Sequence, residues 1–187
     1  MSLETIRDQL PDFARDLKLN LGSVLTVQGA PGLSEKQIAA VALSTAIASR
    51  NPQLTRAIEA WATPLMDDAY VNGARAAAAI MGMNNIYYRF LHLVEDGEYA
   101  TMPARLRMNI IGNPGIDKLD FELLSLAVSA VNGCGMCIVA HEKQLRKHEV
   151  SREAIQSAVR IAATIHAVAG VLEHAAGVEV AATAAAA

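Results

Sequence analysis

Nearly every stretch of this 187-residue chain spaces its apolar side chains three and four apart, and none alternates them with the two-residue period of a half-buried strand. That periodicity confines the chain to an all-α fold. The stripes are built from small aliphatic side chains, because 52% of the residues are hydrophobic and only 4% aromatic, so the helices must approach one another closely to bury them. The apolar content, set against 19% charged residues, excludes a disordered chain.

Local signals divide the chain into helices. An N-terminal arm over residues 1–30 carries a helical stretch from Leu3 to about Leu21, broken at Pro11, and Gly29, Pro31 and Gly32 mark a loop from Gln28 to Leu33. Ser34 with Gln37 makes a capping box for a helix up to Arg50, and Asn51-Pro52 ends it. Helix resumes from Pro52 to about Trp61 and again from Pro64 to about Val94. A short helix is expected after Pro103. Asp117 caps a helix from Lys118 to Val131, Asn132-Gly133 ends it, and the next runs from about Cys134 to Lys147. The last helix begins at Ser151, with a frayed tail over 178–187. The length suits a single domain spanning 1–187. Sliding the chain by 83 positions lays Ser34 to Trp61 over Asp117 to Gln144, a candidate duplication of a helical hairpin. In that register Asn51, Leu54 and Ile58 fall opposite Cys134, Cys137 and His141.

A formal charge of -3 without a local Lys/Arg cluster gives no footprint for nucleic acid. Glu4, Arg7 and Asp8 stand where a secretory signal needs an apolar run, and no stretch reaches the roughly 18 uninterrupted apolar residues of a membrane span. These features lead us to expect a cytoplasmic protein with neither a nucleic-acid nor a membrane partner.

Two cysteines are too few for a disulfide scaffold, and a reducing compartment disfavours a persistent structural bridge. Their spacing is therefore informative. Cys134 and Cys137 stand three apart at a helix start, and His141 follows four residues later, so all three share one helical face. Unpaired N–H groups and the positive dipole end favour thiolate at such a position. One thiolate can attack while the second closes a disulfide, and a neighbouring imidazole can take the thiol proton. Counting outward from Asn132-Gly133 at about 1.5 Å per residue places Glu122 within roughly 3 Å of the height of His141. Ser125 and Ser129 continue a polar strip from Glu122, suggesting a proton relay. The rival chemistry is a zinc-binding helical module using Cys134, Cys137 and His141, although the second ligand pair of a structural zinc site is missing. Ile138 stands where covalent haem attachment needs histidine.

The chain resembles, over nearly its whole length, the alkylhydroperoxidase D family, within the carboxymuconolactone decarboxylase-like superfamily, and three blocks carry the likeness. They are Met81-Gly82-Met83-Asn84-Asn85 with Tyr87-Tyr88-Arg89; Arg107-Met108-Asn109-Ile110-Ile111 with Asn113-Pro114-Gly115; and Phe121-Glu122 leading to Cys134, Cys137 and His141. The resemblance implies an all-helical homotrimer that reduces alkyl hydroperoxides and an oxidised partner peroxiredoxin. No tightly bound cofactor is expected; electrons would come from dihydrolipoamide on a lipoyl-bearing 2-oxo-acid dehydrogenase subunit. It also implies that Cys137 attacks peroxide, Cys134 resolves the product, and Glu122 with His141 relays protons. The helix-start argument instead favours Cys134 as the more acidic thiol. We adopt the implied roles because His141 lies one turn from Cys137. The chain departs from the family at Met136, where well-known members carry a histidine between the cysteines.

Overall fold

Most of the long helices, the one starting at Arg15 apart, open on a side chain that accepts a backbone N–H, and those caps fix where they begin. The computed structural model describes the backbone of residues 2–94 and 96–185, and side chains up to residue 176, so the frayed tail expected over 178–187 lies outside the described side chains. Among the described residues ten α-helices follow in order: α1 Leu3–Gln9, α2 Arg15–Val24, α3 Glu35–Ala48, α4 Pro52–Ala62, α5 Asp68–Leu93, α6 Gly97–Thr101, α7 Asn109–Gly112, α8 Lys118–Val131, α9 Gly135–Lys147 and α10 Arg152–Ala185. No strand occurs among the described residues. Ser34 and Gln37 form the expected capping box on α3, Asn51 caps α4 and Asp117 caps α8.

Two boundaries differ from the sequence reading. Pro64 opens only a single 3-10 turn, Thr63–Leu65; Met66 is extended and Asp67 caps α5 by accepting from Tyr70 N. The carboxylate cap outcompetes the proline because it satisfies a donor that proline merely lacks. The short helix expected after Pro103 is α7, and a further short helix not anticipated, α6, capped by Asp96, precedes that proline. Pro103 itself lies in the irregular stretch between them.

Helices α3 and α8 form the centre. Every residue of α3 from Ile38 to Ala46 is buried, as is every residue of α8 from Leu123 to Ser129, the pattern of helices covered on all sides. Helices α5 and α10 each pack against both of them, α4 lies on α3, α9 lies on α8, and α2 closes over α10. Alanines at 39, 40, 42, 46, 74, 77, 158 and 162 are buried at these contacts, as the scarcity of aromatics requires. By length and composition α10 contains a window apolar enough to cross a membrane, Arg152–Ala176, but 56% of that window is buried inside the fold.

The hairpin duplication is visible in detail. α3 and α8 each have 14 residues, and their caps, Ser34 and Asp117, hold equivalent places. Arg50 and Gly133 take the same left-handed conformation, with φ of 62° and 67°. Asn51 then caps α4 by accepting from Leu54 N, as the Cys134 sulfur accepts from Cys137 N. The halves meet where Gln37 Nε2 donates to Asp120 Oδ1 at 2.7 Å, a contact between residues 83 positions apart. Helices α5 and α10 complete the two copies, since each follows its hairpin and crosses both central helices.

Candidate functional site

The site is built around the turn between α8 and α9. Helix α8 ends in a left-handed Gly133, a conformation that glycine adopts without the penalty a Cβ brings. Cys134 N donates to Ser129 O at 3.1 Å, which anchors the turn to the preceding helix. A hydrogen-bonded strap from α5 holds it from the other side. Arg89 Nη1 donates to Asn132 O at 2.7 Å, Asn132 Nδ2 to Asn85 Oδ1 at 2.9 Å, and Asn85 Nδ2 to Ser129 Oγ at 2.8 Å.

Cys134 is the N-cap of α9, and its sulfur accepts the N–H of Cys137 at 3.3 Å. The two cysteines are joined in a disulfide, with Cα atoms 5.3 Å apart. They differ in access: Cys134 is 0% exposed, whereas Cys137 is 6% exposed and lines a cavity of about 250 Å³. Met81, Tyr88, Met108, Ile111, Met136 and Ala140 supply the apolar walls of that cavity; Asn84, Cys137 and His141 supply its polar groups. Met136, the position of the departure from the family pattern, is 39% exposed and stands on that wall.

His141 Nδ1 and Glu122 Oε2 are 2.6 Å apart, with both side chains largely buried. The height argument across the turn thus placed the pair correctly, and the carboxylate is committed to the imidazole. The serine strip does not extend this pair. Ser129 is engaged by Asn85, and Ser125 Oγ is buried without a hydrogen-bond partner among the described residues. Away from the site, His166 Nδ1 approaches Ser49 Oγ at 3.3 Å.

Among the described residues of this disulfide-bonded form, no three His, Cys, Asp or Glu side chains converge as a metal-ligand set. Asn84, Tyr88 and Met108 had entered the sequence reading only as parts of resembling blocks, without roles. The structure brings all three to the same cavity as Cys137. Asn84 is 4% exposed, and its Oδ1 has no hydrogen-bond partner among the described residues. Leaving such an acceptor buried and unpaired costs about 1–3 kcal/mol.

A helical bundle that presents one sulfur of a Cys-x-x-Cys pair to an apolar cavity, with a carboxylate-bound imidazole one turn away, defines a dithiol redox protein. The family model described as "Carboxymuconolactone decarboxylase family" matches residues 97–186. Proteins named "Alkyl hydroperoxide reductase AhpD" match over nearly the full length. That of Gluconacetobacter diazotrophicus is 57% identical over 176 residues, covering 94% of this chain and 95% of the relative. That of Rhodospirillum centenum is 56% identical over 173 residues, covering 92% and 91%. That of Coxiella burnetii is 56% identical over 169 residues, covering 90% and 96%. The chain belongs to the AhpD family of alkyl hydroperoxide reductases.

Proposed function

We propose that this chain reduces alkyl hydroperoxides with the Cys134/Cys137 pair and is recharged by a dihydrolipoyl group, with no tightly bound cofactor. The observation that carries the reading is the asymmetry of access. Only Cys137 opens on the cavity, and His141, held by Glu122, lines the same cavity one turn away.

In the reduced protein, Glu122 orients the imidazole and His141 takes the proton of Cys137. The thiolate attacks the terminal oxygen of the hydroperoxide. The O–O bond breaks, the alkoxide leaves as alcohol with the proton from His141, and Cys137 becomes a sulfenic acid. Cys134 then attacks that sulfur, water departs, and the disulfide forms.

Recharging runs through the exposed sulfur. A dihydrolipoyl thiolate attacks Cys137 and expels Cys134 as a thiolate, which the Cys137 N–H at the helix start stabilises. The second donor thiol releases Cys137 and closes the cyclic lipoyl disulfide. In this cycle the helix start makes Cys134 the better leaving group, while access makes Cys137 the attacking group. The same dithiol can pass its electrons to the disulfide of an oxidised peroxiredoxin, the partner implied by the family resemblance.

We further infer a homotrimer in a reducing, cytoplasmic compartment, with the donor lipoyl group carried on a 2-oxo-acid dehydrogenase subunit. An apolar face on the end of α5 and on α6, with Ile86, Phe90, Leu93 and Tyr99 exposed, supports an assembly surface. The test of the central reading is hydroperoxide consumption with dihydrolipoamide as donor. Cys137→Ser abolishes consumption, whereas Cys134→Ser accumulates a sulfenic acid or mixed disulfide on Cys137. Undiminished turnover in either variant would overturn the mechanism.

A further inference from the structure

We propose that Asn84 binds the hydroperoxide, its side-chain Oδ1 accepting the substrate O–H beside Cys137. This inference rests on the peroxide-reducing reading and assigns a substrate-binding residue within that site. Asn84 and Asn85 are adjacent on α5, and both are buried. Asn85 spends its amide on Ser129 and Asn132. Asn84 Oδ1 is enclosed and has no partner among the described residues, while its side chain lines the cavity that holds Cys137, so turning the amide about its last torsion presents the oxygen to a ligand there. A buried acceptor in an apolar cleft is complementary to a ligand carrying a single hydrogen-bond donor.

An alkyl hydroperoxide has that form. Its one O–H sits on the oxygen that the thiolate attacks, and its hydrocarbon part suits the walls at Met81, Met108 and Ile111. The Asn84 contact holds the terminal oxygen before the Cys137 sulfur. Attack forms the S–O bond and breaks the O–O bond; the two electrons of the S–O bond come from the thiolate, and the alkoxide is protonated by His141. Asn84 exchanges no proton. A dihydrolipoyl thiol is a far weaker hydrogen-bond donor, so the recharging half of the cycle makes little use of this acceptor.

Stopped-flow measurement on the full chain separates the two halves. Asn84→Leu, close in volume but without an acceptor, should slow oxidation of the reduced protein by cumene hydroperoxide on the order of 10- to 100-fold. Reduction of its disulfide by dihydrolipoamide and alkylation of its reduced form by iodoacetamide should stay within about twofold of wild type. Unchanged oxidation, or equal slowing of both halves, overturns the proposal and marks Asn84 as a structural amide. If wild-type protein consumes no hydroperoxide, the functional reading falls and takes this inference with it; if wild type reacts and Asn84→Leu matches it, this inference alone falls. A comparison on wild type needs no folded variant. Cumyl alcohol, which donates an O–H, should protect Cys137 from iodoacetamide, and cumyl methyl ether should not; equal protection by the two overturns the assignment.

Discussion

At the scale of single residues, the Glu122 and His141 pair separates chemistry from stability. A largely buried carboxylate 2.6 Å from an imidazole keeps the ring in one orientation. Glu122→Gln retains an oxygen that can accept from the ring but removes the charge. We expect it to lower the rate of hydroperoxide reduction on the order of 10- to 100-fold. The urea midpoint should change by less than about 1 kcal/mol in stability terms, because both partners retain some contact with solvent. An unaltered rate would remove Glu122 from the proton path. The pair was legible in the sequence because a tight turn makes height along antiparallel helices a simple count. Asn84 was not legible. Its meaning depends on burial without a partner, which arises only when α5 packs across α8 and α9.

At the scale of elements, the turn carrying the cysteines is held by groups distant in sequence. Asn85 joins Ser129 and Asn132 across 44 and 47 positions, and removing it leaves a hydroxyl and an amide without those partners. Asn85→Ala should therefore cost about 2–4 kcal/mol in urea unfolding. A loss below about 1 kcal/mol would show that the strap contributes little to holding α5 against the turn. Caps such as Ser34 with Gln37 could be read directly because their partners lie within four residues. The start of α5 was misread because proline and aspartate both signal helix starts, and only the folded chain shows which one wins. Helix α6 resisted reading for a different reason: it contains no buried residue, so no periodic stripe announces it.

For the whole molecule, the duplication separates scaffold from reactive groups. The turn at Arg50 repeats the backbone of the turn at Gly133, but Ala39 and Ile58 stand where the other half carries Glu122 and His141. In a chain lacking its native thiols through Cys134→Ser and Cys137→Ser, the pair Asn51→Cys and Leu54→Cys should close a disulfide under mild oxidant. Thiol titration would detect the loss of both free groups, and the chain should consume no hydroperoxide. Two thiols that stay free in a folded chain would refute the equivalence of the turns. The spacing of the native cysteines has one more consequence for the proposed cycle. Their Cα atoms are only 5.3 Å apart within one segment, so the sulfenic acid can be captured without unwinding a helix or waiting for a loop to travel. Fast capture leaves a second peroxide little time to drive that sulfur to an irreversible oxidation state, and the catalyst can work through an oxidative burst while staying rigid.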